Sequence, residues 1–327
     1  MNTGVIHEAQ TAATAAASGG AAEETTYLPY RDATPERTDG QALRRRMDED
    51  GYLYLSGLLP ADAVGALRER ILALCRAQGW ADAAGNPQGP PRLEGQSDWW
   101  EVYDPLQKSR VFHALAHHPA LMGVMERLFG EAALVHPRNI ARITFPDAAF
   151  FTTPAHQDFP LIQGTPETYT AWMPLVDCPM RVGGLAMLAG SHRFGLLPMR
   201  PAFGPGGLEA DTEELCRAQG LTWRAQDLEA GDALIFHSHT VHRALHNVSG
   251  NRLRLSADFR YQAASQPVVA DSLEPHYGRF TWEEIYADWD ADDPLKYYWK
   301  RFPLTVVARD ATVQTPILAP KTAADVP

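Results

Sequence analysis

Apolar residues follow two rhythms along this chain, and the change between them divides it. From about residue 42 to residue 130 they recur every three or four positions, the spacing of amphipathic helices. From about residue 134 to residue 262 they come in short alternating runs bounded by Gly and Pro, the spacing of strands. In the first part, ALRRRMDED reads as a short basic helix and GYLYLSGLL as a strand with Tyr52 and Tyr54 on one face. PADAVGALRERILALCRAQ then reads as a helix whose Val64, Leu67, Ile71, Leu74 and Cys75 form one apolar stripe. The Gly- and Pro-rich WADAAGNPQGPPRLEGQ is expected to be a plain surface loop. SRVFHALAHHPALMGVMERLFGEAA predicts two helices divided at Pro119, with Leu121, Val124, Met125 and Leu128 facing the core and Gly130 as the stop.

The alternating half predicts strands within ALVHPRNIARITF, FFTTPAHQDF, TYTAWMPLVDC, GGLAML, ALIFH and RLRLSADFRYQ, separated by turns such as Gly183-Gly184, Gly231-Asp232 and Ser249-Gly250-Asn251. PMRPAFGPGGLEADTEEL is an excursion expected to lie over one end of the sheet. Many short strands after segregated helices predict an α+β fold. Its core, about residues 134–262, is a double-stranded β-helix, a cupin-like jelly roll, with the N-terminal helices packed on one sheet. Beyond Tyr261, a stripe of Trp282, Ile285, Tyr286 and Trp289 in TWEEIYADW, followed by PLKYYWKRF, predicts a helical C-terminal extension over about 263–303 that packs on the domain.

Composition narrows the function classes. A chain of 327 residues with 45% hydrophobic and 21% charged residues is long enough and apolar enough for a well-buried core. The formal net charge of −11 argues against unspecific attraction to nucleic acid or to an anionic membrane. No apolar run approaches the roughly 20 residues of a membrane span, and the first residues lack the basic and apolar segments of a signal peptide. Cys75, Cys178 and Cys216 form no CxxC pair, so a reducing cytoplasm is the expected setting. Residues 1–25 read as a disordered tail, 26–310 as a single domain and 311–327 as an extended tail.

The candidate chemistry lies in TTPAHQDF. On an extended segment, His156 and Asp158 point to the same side, so an imidazole and a carboxylate converge. A second imidazole would complete two His and one carboxylate on one face of a metal with the other face open, the arrangement of non-haem Fe(II) oxygenases. His237, His239, His242 and His246 are the candidates for it, and periodicity does not choose among them. Arg252 and Arg254, in RLRLS, are the cations available for an anionic cosubstrate, because a planar guanidinium matches a carboxylate with two hydrogen bonds. His113 and His117 have the i, i+4 spacing of a helical metal pair, but no Glu lies between them and Pro119 ends the helix, so a second metal site is not expected.

HQD at 156–158, AW at 171–172, GGLAMLAGSH at 183–192, GDALIFHSHTVHRALHN at 231–247 and the RLRLS run resemble the phytanoyl-CoA dioxygenase family of Fe(II)/2-oxoglutarate-dependent oxygenases. DEDGYLYLSGLL resembles that family's N-terminal strand, so the likeness extends from about Gly51 to Tyr261. It implies His156, Asp158 and His242 as iron ligands at the catalytic centre, Trp172 as a wall of the cosubstrate site and Gln157 near the same pocket. The family's 2-oxoglutarate arginine falls eleven residues past the distal His. That place is Leu253 here, between Arg252 and Arg254. Arg254 is preferred, since Arg254-Leu255-Ser256 offers one carboxylate both a guanidinium and the Ser256 hydroxyl.

The resemblance further implies Fe(II) as cofactor and 2-oxoglutarate and O2 as cosubstrates. The reaction would convert 2-oxoglutarate to succinate and CO2 and hydroxylate a small organic substrate, expected to be a specialised metabolite. Asp158 stands where halogenating relatives carry a small residue, which argues against halogenation. A zinc or manganese hydrolase or isomerase on the same fold would need a general base and no carboxylate-binding Arg. A non-catalytic metal-binding relative is the other alternative.

Overall fold

The computed structural model describes residues 25–313. The tails expected at 1–25 and 311–327 lie almost wholly outside the described residues. In chain order come α1 (Gly40–Asp50), β1 (Tyr52–Leu55), α2 (Ala61–Ala77), α3 (Trp100–Gln107), α4 (Arg110–Ala116), α5 (Pro119–Phe129), β2 (Ala133–Val135) and β3 (Ile140–Thr144). They are followed by α6 (Phe159–Ile162), β4 (Tyr169–Pro174), β5 (Leu185–Leu188), β6 (Met199–Pro201), β7 (Leu208–Ala210), α7 (Glu213–Gln219) and β8 (Trp223–Arg224). The last elements are β9 (Ala233–His237), β10 (His242–Ala244), β11 (Arg254–Ala263), β12 (Val268–Val269), α8 (Trp282–Ile285) and β13 (Val306–Val307).

Two antiparallel sheets face each other, and the fold is the cupin-like jelly roll expected. The larger runs β1-β9-β4-β11, with β3 and β2 pairing successive stretches of β11; the smaller runs β10-β5-β8. Ten residues of β11 are all buried, so its two faces serve two interiors. Leu255, Ala257, Phe259 and Tyr261 join the core formed with α1 to α5, where Leu67, Ile71, Leu121 and Met125 of the helical stripes are buried. The alternate residues Arg254, Ser256, Asp258 and Arg260 face the space between the sheets. An apolar cluster including Tyr52, Tyr54, Trp172, Leu185, Leu234 and Phe236 closes part of that space and leaves the rest to a polar cavity.

The C-terminal extension packs as expected but is less helical. Trp282, Ile285, Tyr286, Trp289 and Trp299 are buried together against Leu134 and Val268. However, α8 has four residues, opened by a Thr281–Glu284 capping box, and PLKYYWKRF yields a single 3₁₀ turn at Tyr298–Arg301. Asp288, Asp290, Asp292, Asp293 and Pro294 disfavour a continued helix, and Tyr297 takes a left-handed φ of 50° that interrupts the second. Among the described residues, no helix is long and apolar enough to cross a membrane.

Candidate active site

The first residue of β10, His242, is joined to His156 by an isolated antiparallel bridge in which each N–H donates to the other's carbonyl, at 2.9 and 3.0 Å. Directly opposed residues in such a pair carry their side chains on the same face, and the two rings lie 4.3 Å apart. Nδ1 of His156 faces Pro154 O at 2.9 Å and Nδ1 of His242 faces Thr240 O at 3.1 Å. A carbonyl can only accept, so each ring meets it with an N–H at Nδ1, and in the neutral ring Nε2 then keeps a lone pair for a metal.

Asp158 reaches the same place by a different route from the one expected. The chain does not stay extended past the bridge: Asp158 has helical angles (φ −75°, ψ −28°) and begins α6, with Pro160 in its first turn, where a missing N–H is harmless. Its carboxylate does not cap that helix. Instead Oδ1 lies 3.6 Å from His156 Nε2 and 4.0 Å from His242 Nε2. Carbonyls of Pro160 and Leu161, in the same turn, accept from Arg309, so the C-terminal segment holds α6 from outside.

The three ligand-type atoms all lie within 4.8 Å of one another, and no other triad of this kind occurs among the described residues. Two neutral imidazole nitrogens and one carboxylate oxygen, open toward a cavity, fit a divalent iron ion. Burial works against the charge on Asp158, but its neighbours, Arg260 first among them, outweigh it and hold the carboxyl well below its ordinary range. Burial, with His156 adding to it, pushes His242 down to about 4, which keeps that ring in its coordinating form at neutral pH. The Gly/Pro-rich excursion lies over this end of the sheet as expected: a Cβ at Gly206 would start 3.6 Å from His156 Nε2.

Of the other candidate histidines, none joins the triad. His237 faces Glu167 at 3.5 Å, His239 packs against Phe159, and His246 pairs with Thr152. Arg254 is buried in the cavity wall, donating to Gly183 O at 2.7 Å and Thr144 Oγ1 at 2.8 Å, while its Nε and the nearby Ser256 Oγ have no partner. Arg252 precedes β11 and turns outward to Asp177 O, which removes it from the cavity. Leu253, between them, is core. Trp172 lines the cavity beside the triad and is also part of the inter-sheet core.

Gln157 is a correction to the expected pocket role. Its side chain faces away from the triad, donates to Gly195 O and His239 O and accepts from Leu197 N, so its amide is fully used in fixing loops. Four further cavity residues went unread in the sequence: Glu94, Arg142, Asp258 and Arg260. The loop expected to be a plain surface connection sends Glu94 inward, where it grips Arg142 and accepts from Tyr277. Arg142 also reaches Asp258 at 3.3 Å. For Asp258 and Arg260 the alternation of RLRLSADFRYQ was the available signal, since it places them on the face of Arg254.

Residues 47–255 match the family described as Phytanoyl-CoA dioxygenase (PhyH). The chain belongs to that family. It is therefore an Fe(II)- and 2-oxoglutarate-dependent oxygenase that uses O2 and acts on a small molecule. Two relatives are named 1-deoxypentalenic acid 11-beta-hydroxylase. The one from Streptomyces exfoliatus is 32% identical over 265 residues, covering 76% of this chain and 90% of the relative. The one from Streptomyces arenae is 33% identical over 261 residues with the same coverage. The epimerase SnoN, solved in complex with Fe3+, alpha ketoglutarate and nogalamycin RO, shares the fold, with a TM-score of 0.52 and 24% identity over 70% of this chain and 85% of that one.

Proposed function

We propose that this PhyH-family oxygenase hydroxylates a small, largely apolar specialised metabolite. In this reading His156, Asp158 and His242 hold the iron, and Arg254 with Ser256 receives the far carboxylate of 2-oxoglutarate. The observation that carries the cosubstrate assignment is the state of Arg254. A buried guanidinium with no carboxylate partner is costly, and its free Nε beside a free Ser256 hydroxyl favours an anion at that spot. When bound, the iron supplies the redox chemistry that couples 2-oxoglutarate decarboxylation to substrate oxidation. The protein's part is to hold the two imidazoles neutral at Nε2, keep Asp158 ionised and anchor the cosubstrate at its distal end.

The apolar character of the substrate is supported by part of the cavity lining. Beside the polar Glu94, Arg142 and Arg254, the lining includes Ala148, Phe151, Pro205 and Leu245; Phe151 packs edge-on against Phe203, and Phe150 and Phe203 remain 51% and 58% exposed. Exposed aromatics next to lining residues favour an apolar visitor. The names of the hydroxylase relatives support hydroxylation as the outcome. Three unpaired cysteines support a cytoplasmic setting.

Anaerobically purified protein given Fe(II), ascorbate and 2-oxoglutarate, then air, should release succinate slowly, and an apolar metabolite of the producing cell should stimulate that release. Stimulation by polar, charged metabolites alone would overturn the substrate reading. Iron-loaded protein that forms no succinate under any of these conditions would overturn the site assignment.

A further inference from the structure

We infer that Thr170 and Arg260 clamp one oxygen of Asp158 so that the carboxylate offers only its other oxygen to the metal, which keeps the last coordination position open once 2-oxoglutarate is bound. The inference rests on the reading of His156, Asp158 and His242 as iron ligands. Its basis is the division of labour between the two carboxylate oxygens. Oδ1 faces both free imidazole nitrogens, at 3.6 and 4.0 Å. Oδ2 faces the other way, accepting from Thr170 Oγ1 at 2.6 Å and lying 3.6 Å from Arg260 Nη2.

The two clamping residues are placed as a unit. Thr170 on β4 and Arg260 on β11 are directly opposed in the sheet register, so both side chains rise from neighbouring points on the same face. Both are buried, and the paired strands beneath them leave little freedom to follow the carboxylate if it rotates. Asp158 itself stands at the start of a four-residue helix, a less constrained support. The sheet therefore sets the carboxylate's orientation.

The consequence follows from counting positions. Two imidazoles and one carboxylate oxygen occupy three of the six sites of an octahedral ion, and a chelating 2-oxo acid needs two of the remaining three. A carboxylate free to turn can bind through both oxygens, which strengthens its hold on the metal and, with 2-oxoglutarate bound, fills the one position left for O2. Loss of the clamp should thus leave metal affinity unchanged or higher while weakening the capture of a diatomic ligand at that last position. A merely structural role would weaken both together.

The test uses full-length protein with Thr170→Val, Thr170→Ser and Arg260→Gln. Co(II) is titrated into apo protein and followed by its visible absorption, which reports coordination number. Fe(II)-loaded protein saturated with 2-oxoglutarate is then titrated anaerobically with nitric oxide, a stand-in for O2, by the visible absorption of its iron complex. Thr170→Val should bind Co(II) at least as tightly as the unaltered protein, with a changed cobalt spectrum, and raise the nitric oxide Kd about tenfold or more, the worth of a hydrogen bond to a charged group. Thr170→Ser, which keeps the hydroxyl, should restore both. Unchanged nitric oxide affinity, or a parallel loss of metal and nitric oxide binding, in Thr170→Val overturns the clamp. Should Arg260→Gln fail to fold, the threonine pair decides alone. Asp158→Ala separates the two levels: Co(II) affinity and spectrum like those of the unaltered protein would overturn the ligand assignment itself.

Discussion

Two histidine pairs in this molecule meet opposite fates. His113 and His117, four residues apart on one helix, have the more familiar metal-binding spacing, yet both nitrogens of His113 are engaged, Nε2 with Gln107 O at 2.7 Å and Nδ1 with Asn139 Nδ2 at 3.2 Å. His117 packs against Tyr298 at 4.2 Å between ring centres. His156 and His242, 86 residues apart in the chain (242 − 156), are brought opposite each other by a sheet bridge, with backbone carbonyls taking Nδ1 and leaving Nε2 free. Spacing therefore matters less than which nitrogen the surroundings leave without a partner.

The sharpest way to break this comparison is to remove the second pair and its carboxylate. His156→Ala, Asp158→Ala and His242→Ala should each abolish iron binding and succinate formation, as measured by metal content and product analysis, with the circular dichroism unchanged. His113→Ala and His117→Ala should keep their iron. If His237→Ala or His239→Ala lost iron while His242→Ala kept it, the third ligand would be misassigned. Next in size, Arg254→Ala should cost about 2–5 kcal/mol of cosubstrate binding, seen as a rise of at least about thirtyfold in the 2-oxoglutarate KM.

Acid should then probe the buried rings of the first pair without mutation. Burial pushes His113 and His117 down to about 4, so the unfolded chain takes up these protons near pH 6.5 and the folded chain only near 4. Between those values the unfolded state binds more protons, and stability falls as pH drops, levelling off below about 4. The loss amounts to about 3 kcal/mol for each such ring, readable as a falling Tm of the apo protein. A Tm flat across that window would show that these rings titrate normally. At neutral pH, His113→Ala should cost about 1–3 kcal/mol, because Asn139 and Gln107 lose a buried partner, while the 2-oxoglutarate KM stays unchanged. The smallest effect belongs to Arg252→Ala, within about 0.5 kcal/mol in either measurement.

Much of this molecule was legible before the structure, and the legible parts share a cause. The helix stripes and the alternating strands depend on residues near one another in the chain. The outward turn of Arg252 was not legible: RLRLS puts it on one face with Arg254, but it falls just before β11 begins and donates to Asp177 O instead. What else escaped depends on pairings between distant strands. Arg142 meets Ser256 and Thr170 meets Arg260 only through the register of β3 and β4 against β11, which no local pattern specifies. The helical turn at Asp158 was hidden because HQDFP alternates like a strand, and only Pro160 hinted otherwise. Glu94 was lost in a loop whose Gly and Pro content describes its flexibility in the chain but not the arginine it meets.

The bridge between His156 and His242 has one more consequence. Side chains alternate faces along a strand, so a slip of one residue in that pairing would send one imidazole to the far side of the sheet. An ion held by both rings binds the correct alignment alone, and by mass action it raises that alignment's population over its misaligned competitors. Bound iron would in this way stabilise the native alignment of these two segments as well as supply the chemistry.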